Sequence, residues 1–539
     1  VTDTILTGAR ILTMDPARPR AAALAIRDGR ILALGATAEI RTLACPRARV
    51  IDAGGRLVLP GLTDAHVHLL DGGTGLVLSA DLGAARSVDD LVTLLRAHAA
   101  TRAGALVTGM RWEPALFGDH NLTRDLIDRA VPDRPCILFD TSFHKACVNS
   151  AAIAMAGLTE ATPDPPNGHI VRDAAGRPTG MLHEAATAWM QARLPGPGPE
   201  DDMAGLRAGQ AHANRHGITG IVDPHVLARH AAAYGAAAAA DALTLRVSGA
   251  AGISPGDSAA GALARLQDQR AAHRGLFQVN AAKFFLDGVF ENRTAAMIAP
   301  YADATGGNAP LMFPPAQIAA LFTALDAARF QIHVHAIGDM ATRAALDGLA
   351  AARAANGAWP GLHQLAHLQV IDPADIPRIA SLGAMANIQP LWAQTDPDLP
   401  DPALPLIGPA RRPFTYAFGR MRDAGVRLCL SSDFSVSTLN PFEIIETALT
   451  RAPRGRRAPA FLPAERLRLA EALCGYTTEA AAAAWRGHEA GMLRPGLSAD
   501  VIVLDRDFTA GPPEAIGDTK VLLTLFRGAE VWRDPAFGG

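Results

Sequence analysis

The chain has 539 residues, 49% of them hydrophobic, with 50 basic side chains against 53 acidic ones. That composition supplies the core of a large enzyme and excludes a disordered or collagen-like chain. A net charge of −3 gives no general pull toward nucleic acid or an anionic membrane, and neither is expected as a partner. The one basic run, Arg451 to Arg457, reads as a solvated loop. Five widely spaced cysteines without a CxxC pair argue against a disulfide framework or a thiolate zinc site and fit a reducing cytoplasm. The opening stretch lacks a basic segment followed by an apolar run. The alanine tract 231–243 is too short and too interrupted to span a bilayer, so no export signal or membrane anchor is expected.

In chain order, residues 4–13, 22–26, 31–34 and 50–51 read as short strands separated by turns. The last fifty residues repeat the style at 500–505, 521–526 and 530–533. Together, 1–58 and 488–539 are expected to form one small composite β-sandwich. The apolar run 57–62, continuing to His68, reads as the first strand of a second domain. More than a hundred residues then follow, too many for an ordinary strand-to-helix connection, which predicts an inserted subdomain over 72–199. From Gly217 onward, apolar runs alternate with alanine-rich stretches of helical length, placing strands at 218–222, 243–248, 279–286, 330–334, 362–368, 384–388 and 427–431. With the first strand these make eight, the number that closes a (β/α)8 TIM barrel, here over 59–71 and 200–487.

Chemistry in such a barrel sits at the C-terminal strand ends. His66 and His68 are two apart on a strand, so their imidazoles share a side and suit either a common metal or ordinary barrel-mouth hydrogen bonds. Lys283, His335, His367 and Asp433 stand at further strand ends. Together these residues form a nitrogen and oxygen set suited to zinc or a similar divalent ion. Only three of the 50 basic residues are lysine, and Lys283 lies among Ala282, Phe284 and Phe285. Burial there disfavours the ammonium, and a neutral amine captures carbon dioxide to give a carbamate able to bridge two metals. The other reading is a lysine that snorkels to the barrel mouth and pairs with Asp287 or Asp433. His333 shares a strand face with His335, and spacing does not separate them.

The stretches Pro60-Gly61-Leu62-Thr63-Asp64-Ala65-His66-Val67-His68, His144-Lys145-Ala146-Cys147-Val148-Asn149-Ser150, Gly180-Met181-Leu182-His183-Glu184, Lys283 to Gly288 with Arg293-Thr294-Ala295, His335-Ala336-Ile337-Gly338-Asp339, and Ser432-Asp433 with Asn440-Pro441 resemble the metal-dependent amidohydrolase superfamily. The likeness is to its family 3 branch, which includes YtcJ-like proteins and N-substituted formamide deformylases, and it spans nearly the whole chain. It implies two divalent metal ions, most simply zinc: His66 and His68 on one, His335 and His367 on the second, a carbamylated Lys283 bridging them, and Asp433 completing the site. His335 is preferred to His333, and His367 to His363, because they occupy the matching stretches. Arg111-Trp112-Glu113 and Thr141-Ser142-Phe143-His144 depart from the patterns common in relatives, so substrate choice does not transfer.

The reaction implied is hydrolysis of a non-peptide C–N bond in a small amide, N-substituted formamide or cyclic amide, with Asp433 as catalytic proton shuttle. Trp112, Phe143, His144, Glu184 and Arg293 are candidate pocket walls. For each there is a structural alternative: core packing for the two aromatics, a helix-start carboxylate for Glu184, an ion-pair partner for Arg293. Two rival readings are a mononuclear-metal deaminase of an aminated heterocycle, with Lys283 unmodified and His367 acting on substrate, and a non-catalytic ligand-binding barrel. A homodimer through the alanine-rich helices is the alternative to a monomer, and no patch selects between them.

Overall fold

The structure is a computed structural model. It describes all residues except 1–3, 102–103, 118–119, 291, 304–305, 396–402, 457 and 539. The chain divides into two compact units, one made of residues 1–68 with 210–539 and the other of 69–209.

The first unit holds eight parallel strands: β1 (Leu62–Asp64), β2 (Ile218–Val226), β3 (Arg246–Gly252), β4 (Phe277–Phe285), β5 (Gln331–Ala336), β6 (Gln364–His367), β7 (Met385–Ile388) and β8 (Arg427–Leu430), paired in sequence order. Just past β1, the Ala65 amide donates to Leu430 O at 3.3 Å, drawing the first and last strands together. This is the expected (β/α)8 barrel. Its strands read as near-continuous buried runs because helices cover the outer faces and side chains fill the interior.

The same unit holds two further sheets, the first built from N-terminal residues alone and the second from both chain ends. One has four strands, ordered Arg30–Gly35, Ala23–Arg27, Thr4–Thr7 and Arg49–Asp52. The other has six, ordered Ala529–Arg533, Val521–Phe526, Val501–Leu504, Leu57–Pro60, Arg10–Leu12 and Arg20–Ala21. Leu6, Leu24, Ile26, Val58, Val501, Val503 and Leu523 bury together in one core, the arrangement that inward-facing residues of two stacked sheets produce.

The run 57–62 is not one strand. Leu57–Pro60 belongs to the six-stranded sheet and only Leu62–Asp64 to the barrel. The break falls at Gly61, whose amide donates to Asp500 O at 2.9 Å and where an added Cβ would stand 2.3 Å from Thr219 Oγ1. β3 starts at Arg246, later than expected, because Leu243 still lies in the turn after the helix Ala228–Ala239. The second unit carries a six-stranded sheet, ordered Gly168–Arg172, Pro178–Glu184, Lys145–Val148, Cys136–Asp140, Val107–Trp112 and Ser79–Asp81.

The basic run corrects one expectation. Arg451 is fully buried. Its Nε donates to Phe461 O at 2.9 Å and its Nη1 to Tyr416 O at 3.1 Å, with the rings of Phe418 and Phe461 at 5.3 and 5.4 Å. Burial pulls its pKa down to about 10. Arg454 turns out to pair with Asp518, and Arg457 lies outside the described residues. Among the described residues, no helix is long and apolar enough to cross a membrane.

Candidate metal centre

The chain leaving β1 carries His66 and His68 to the C-terminal mouth of the barrel, and the chain leaving β8 brings Asp433 to meet them. Backbone bonds lock the two segments together: Asp433 N to His66 O at 2.9 Å and His68 N to Phe434 O at 2.8 Å. Asp433 Oδ1 lies 3.6 Å from His66 Nε2 and 3.4 Å from His68 Nε2. One ligand atom from each of the three falls within 4.8 Å of the others, and among the described residues this is the one such group.

His367, ending β6, reaches the same carboxylate, with Nδ1 4.0 Å from Asp433 Oδ2. Its ring packs 4.9 Å from His66 and 4.5 Å from His335, centroid to centroid, and stacks on Trp392 at 5.4 Å. His335 Nε2 donates to Gly288 O at 3.2 Å, since a carbonyl can only accept, and stands 3.8 Å from Asp287. Asp287 in turn accepts from the amides of Ala296, Ile337 and Gly338, pinning the turn that follows His335.

Asp433 and His367 both hold left-handed backbone, with φ of 52° and 78°. That conformation costs a non-glycine residue roughly 1–3 kcal/mol and persists where surrounding structure over-determines it, as at functional sites.

Lys283 on β4 is completely buried and pairs in register with His333 on β5. Among the described residues its Nζ has no hydrogen-bond partner, and it lies 4.5 Å from the Phe285 ring. Burial drives its pKa down to about 7, against the opposing pull of Asp433 and Asp223. Burial also pushes His66 and His333 well below the ordinary imidazole value, with Lys283 adding to both. Asp64 moves the other way, up to about 7, through burial that outweighs its bonds to Ser432 and His66.

These residues fit a divalent cation. The donors are imidazole and carboxylate, the set that zinc and its neighbours take. Among the described residues, the buried Lys283 Nζ and Asp433 Oδ1 have no hydrogen-bond partner, a state that buried polar groups rarely occupy. The tight cluster is His66, His68 and Asp433. His367 adjoins it through Asp433, and His335 adjoins His367.

Of the five wall candidates, Arg293 lies in the first unit and the other four in the second. Arg293 pairs with Asp303 at 2.8 Å. In the second unit, Trp112 is buried with its indole Nε1 donating to Leu138 O, Phe143 stacks on Phe139, and His144 Nδ1 lies 2.7 Å from Glu184 Oε2. Residues with site contacts that the motifs did not single out are His333, whose Nε2 is 2.9 Å from His66 Nδ1, and Gln389, whose Oε1 is 2.9 Å from His367 Nδ1. The signal that each carries is a polar residue in or just past an apolar barrel strand, His333 within β5 and Gln389 directly after β7.

Residues 49–532 match the model of the amidohydrolase family. The chain is 28% identical over 550 residues to N-substituted formamide deformylase of Arthrobacter pascens, covering 98% of this chain and 97% of that protein. It is also 28% identical over 521 residues to Protein LONG AFTER FAR-RED 3 of Arabidopsis thaliana, covering 94% and 87%. Among solved structures, an uncharacterized metal-dependent hydrolase from Pyrococcus horikoshii superposes with a TM-score of 0.78 at 20% identity over 95% of this chain and 99% of that one, a likeness of fold. Because one family pattern runs from the first β-module through every barrel strand and into the last sheet, the chain belongs to the amidohydrolase family.

Proposed function

We propose that this protein hydrolyses a non-peptide C–N bond in a small amide, with an N-substituted formamide or a cyclic amide as the substrate class. The observation that carries the reading is Lys283: a fully buried amine without a hydrogen-bond partner among the described residues, in the same barrel as His66, His68 and Asp433. A buried ammonium is costly, whereas a neutral amine is a nucleophile toward carbon dioxide. Attack of Nζ on the carbon forms an N–C bond, a proton leaves to solvent, and the resulting carbamate is an anionic two-oxygen ligand. His66, His68, His335, His367, Asp433 and this carbamate would hold two divalent ions, zinc by donor chemistry. When bound, such ions supply Lewis acidity and a hydrolytic water of lowered pKa.

Asp433 is placed to move the proton. Its Oδ1 has no hydrogen-bond partner and its backbone is fixed by His66 O. It accepts the proton of the attacking water as the oxygen adds to the substrate carbonyl carbon, then delivers it to the nitrogen as the C–N bond breaks, giving acid and amine. The relationship to N-substituted formamide deformylase supports formamides within this class, although a shared fold does not by itself fix a substrate.

The test is a hydrolysis screen of N-formyl amines, cyclic amides and ureas with metal-replete protein and an Asp433→Asn control. Turnover of one class, abolished in Asp433→Asn with metal retained, supports the reading. Equal behaviour of the two proteins leaves a non-catalytic binding barrel. One observation favours a second enzymatic reading: the tight ligand cluster has three members, as a mononuclear deaminase would use. Near one metal equivalent per chain, with ammonia released from an aminated heterocycle, would select it over two equivalents and amide hydrolysis.

A further inference from the structure

Beneath His367 the barrel interior holds a chain of buried amides. Gln331 Nε2 donates to Leu362 O at 2.7 Å and to Ala483 O at 3.0 Å. Gln364 Nε2 donates to Gln331 Oε1 and to Ala483 O, each at 3.0 Å. Asn387 Nδ2 donates to Gln364 Oε1 and to Ala65 O, each at 2.7 Å. Ser431 Oγ donates to Asn387 Oδ1 at 2.6 Å. Gln389 Nε2 donates to Ser431 Oγ at 2.8 Å and to Asn387 Oδ1 at 3.2 Å. The last link is Gln389 Oε1 to His367 Nδ1 at 2.9 Å.

The polarity of this chain is set by backbone carbonyls, which accept and never donate. Ala65 O obliges the nearer atom of the Asn387 amide to be nitrogen, so Asn387 Oδ1 faces Gln389 and Ser431. The Gln389 atom 3.2 Å from that oxygen must then be its NH2, which turns Oε1 toward the imidazole. An amide oxygen there requires a hydrogen on His367 Nδ1. In a neutral ring the lone pair is left on Nε2. Reversing any link would set two acceptors or two donors face to face in a dry interior, where a lost hydrogen bond costs the full desolvation of the group.

We propose that Gln389, oriented by Asn387 and Ser431, is a positioning residue that holds His367 as the Nδ1–H tautomer and thereby keeps the ring's lone pair on Nε2. The functional consequence rests on the proposed reading of His367 as a metal ligand; the tautomer itself does not. Outer partners of this kind fix ring orientation and ligand basicity, and losing one weakens metal binding roughly 10–100-fold.

The experiment is a long-range proton–nitrogen spectrum of metal-free, nitrogen-15 histidine-labelled protein at about pH 8, with the His367 signals assigned by their loss in His367→Asn. Wild type is expected to show the Nδ1–H pattern. Gln389→Met is expected to lose it, and Gln331→Met, at the far end of the chain, to keep it. An Nε2–H pattern in wild type overturns the proposal without recourse to any Gln389 variant, as does an unchanged pattern in Gln389→Met. Zinc titration of the same proteins separates the two readings. A shifted tautomer with affinity lowered roughly 10–100-fold supports both, whereas a shifted tautomer with unchanged affinity upholds the role of Gln389 and removes His367 from the ligand set.

Discussion

His333 Nε2 lies 2.9 Å from His66 Nδ1, and both rings are buried. A ligating imidazole is usually oriented by a carboxylate, a carbonyl or water; if His66 binds metal as proposed, a second histidine from β5 occupies that place. His333→Phe keeps a flat ring and removes the nitrogen. It should lower divalent-metal affinity roughly 10–100-fold, read by competition with a chromogenic chelator. An unchanged affinity would make His333 a packing residue only.

Lys283→Met should abolish hydrolysis and stabilise the metal-free protein. The buried lysine has a pKa lowered from 10.5 to about 7, so its folded form resists the proton that its unfolded form accepts. Stability linked to this group is complete above 10.5 and is lost as pH falls toward about 7, so most of that loss is in force at neutral pH. Methionine fills the space without a charge. The expected gain is on the order of 1–3 kcal/mol in metal-free, carbonate-free buffer, seen as a raised thermal midpoint. A lowered midpoint would show that Lys283 has a stabilising partner.

Arg451→Met should destabilise the first unit. The guanidinium serves the carbonyls of Phe461 and Tyr416 in a fully buried position; methionine removes the donor to Phe461 O, while Tyr416 O keeps the Phe418 amide. The expected loss is roughly 1–3 kcal/mol, measured by chemical denaturation. A variant as stable as wild type would mean that the loop 451–461 repacks around the apolar side chain.

Acid should weaken the fold through His216. Its partial burial, then His212 and Arg215, bring its pKa down from 6.5 to about 3. The folded state refuses a proton that the unfolded chain takes, so the linked stability is intact above 6.5 and drains as pH falls toward about 3. His216→Gln should therefore show a smaller fall in thermal midpoint between about pH 7 and about pH 5. Parallel curves for the two proteins would assign acid sensitivity elsewhere.

The barrel was legible because its strands are apolar throughout and spaced by helix-length alanine-rich segments, a pattern that local periodicity carries. The start of β1 was not, because the apolar run 57–62 continues across a change of sheet and only the crowding of Gly61 against Thr219 marks the break. Arg451 read as solvated because a charge run signals exposure, whereas Phe418 and Phe461, the rings that enclose it, come from separate parts of the chain. At the site, period-two alternation points both His333 and His335 inward and cannot tell the neighbour of His66 from the neighbour of His367. The amides were invisible for a related reason. A glutamine in an apolar strand has no meaning until its partners on neighbouring strands are known.

The most direct test is an anomalous difference map from crystals grown with zinc. The proposed two-metal centre requires two peaks enclosed by His66, His68, Lys283, His335, His367 and Asp433, with density for a carboxylated Lys283 between them. A map with no peak among these six side chains would contradict it.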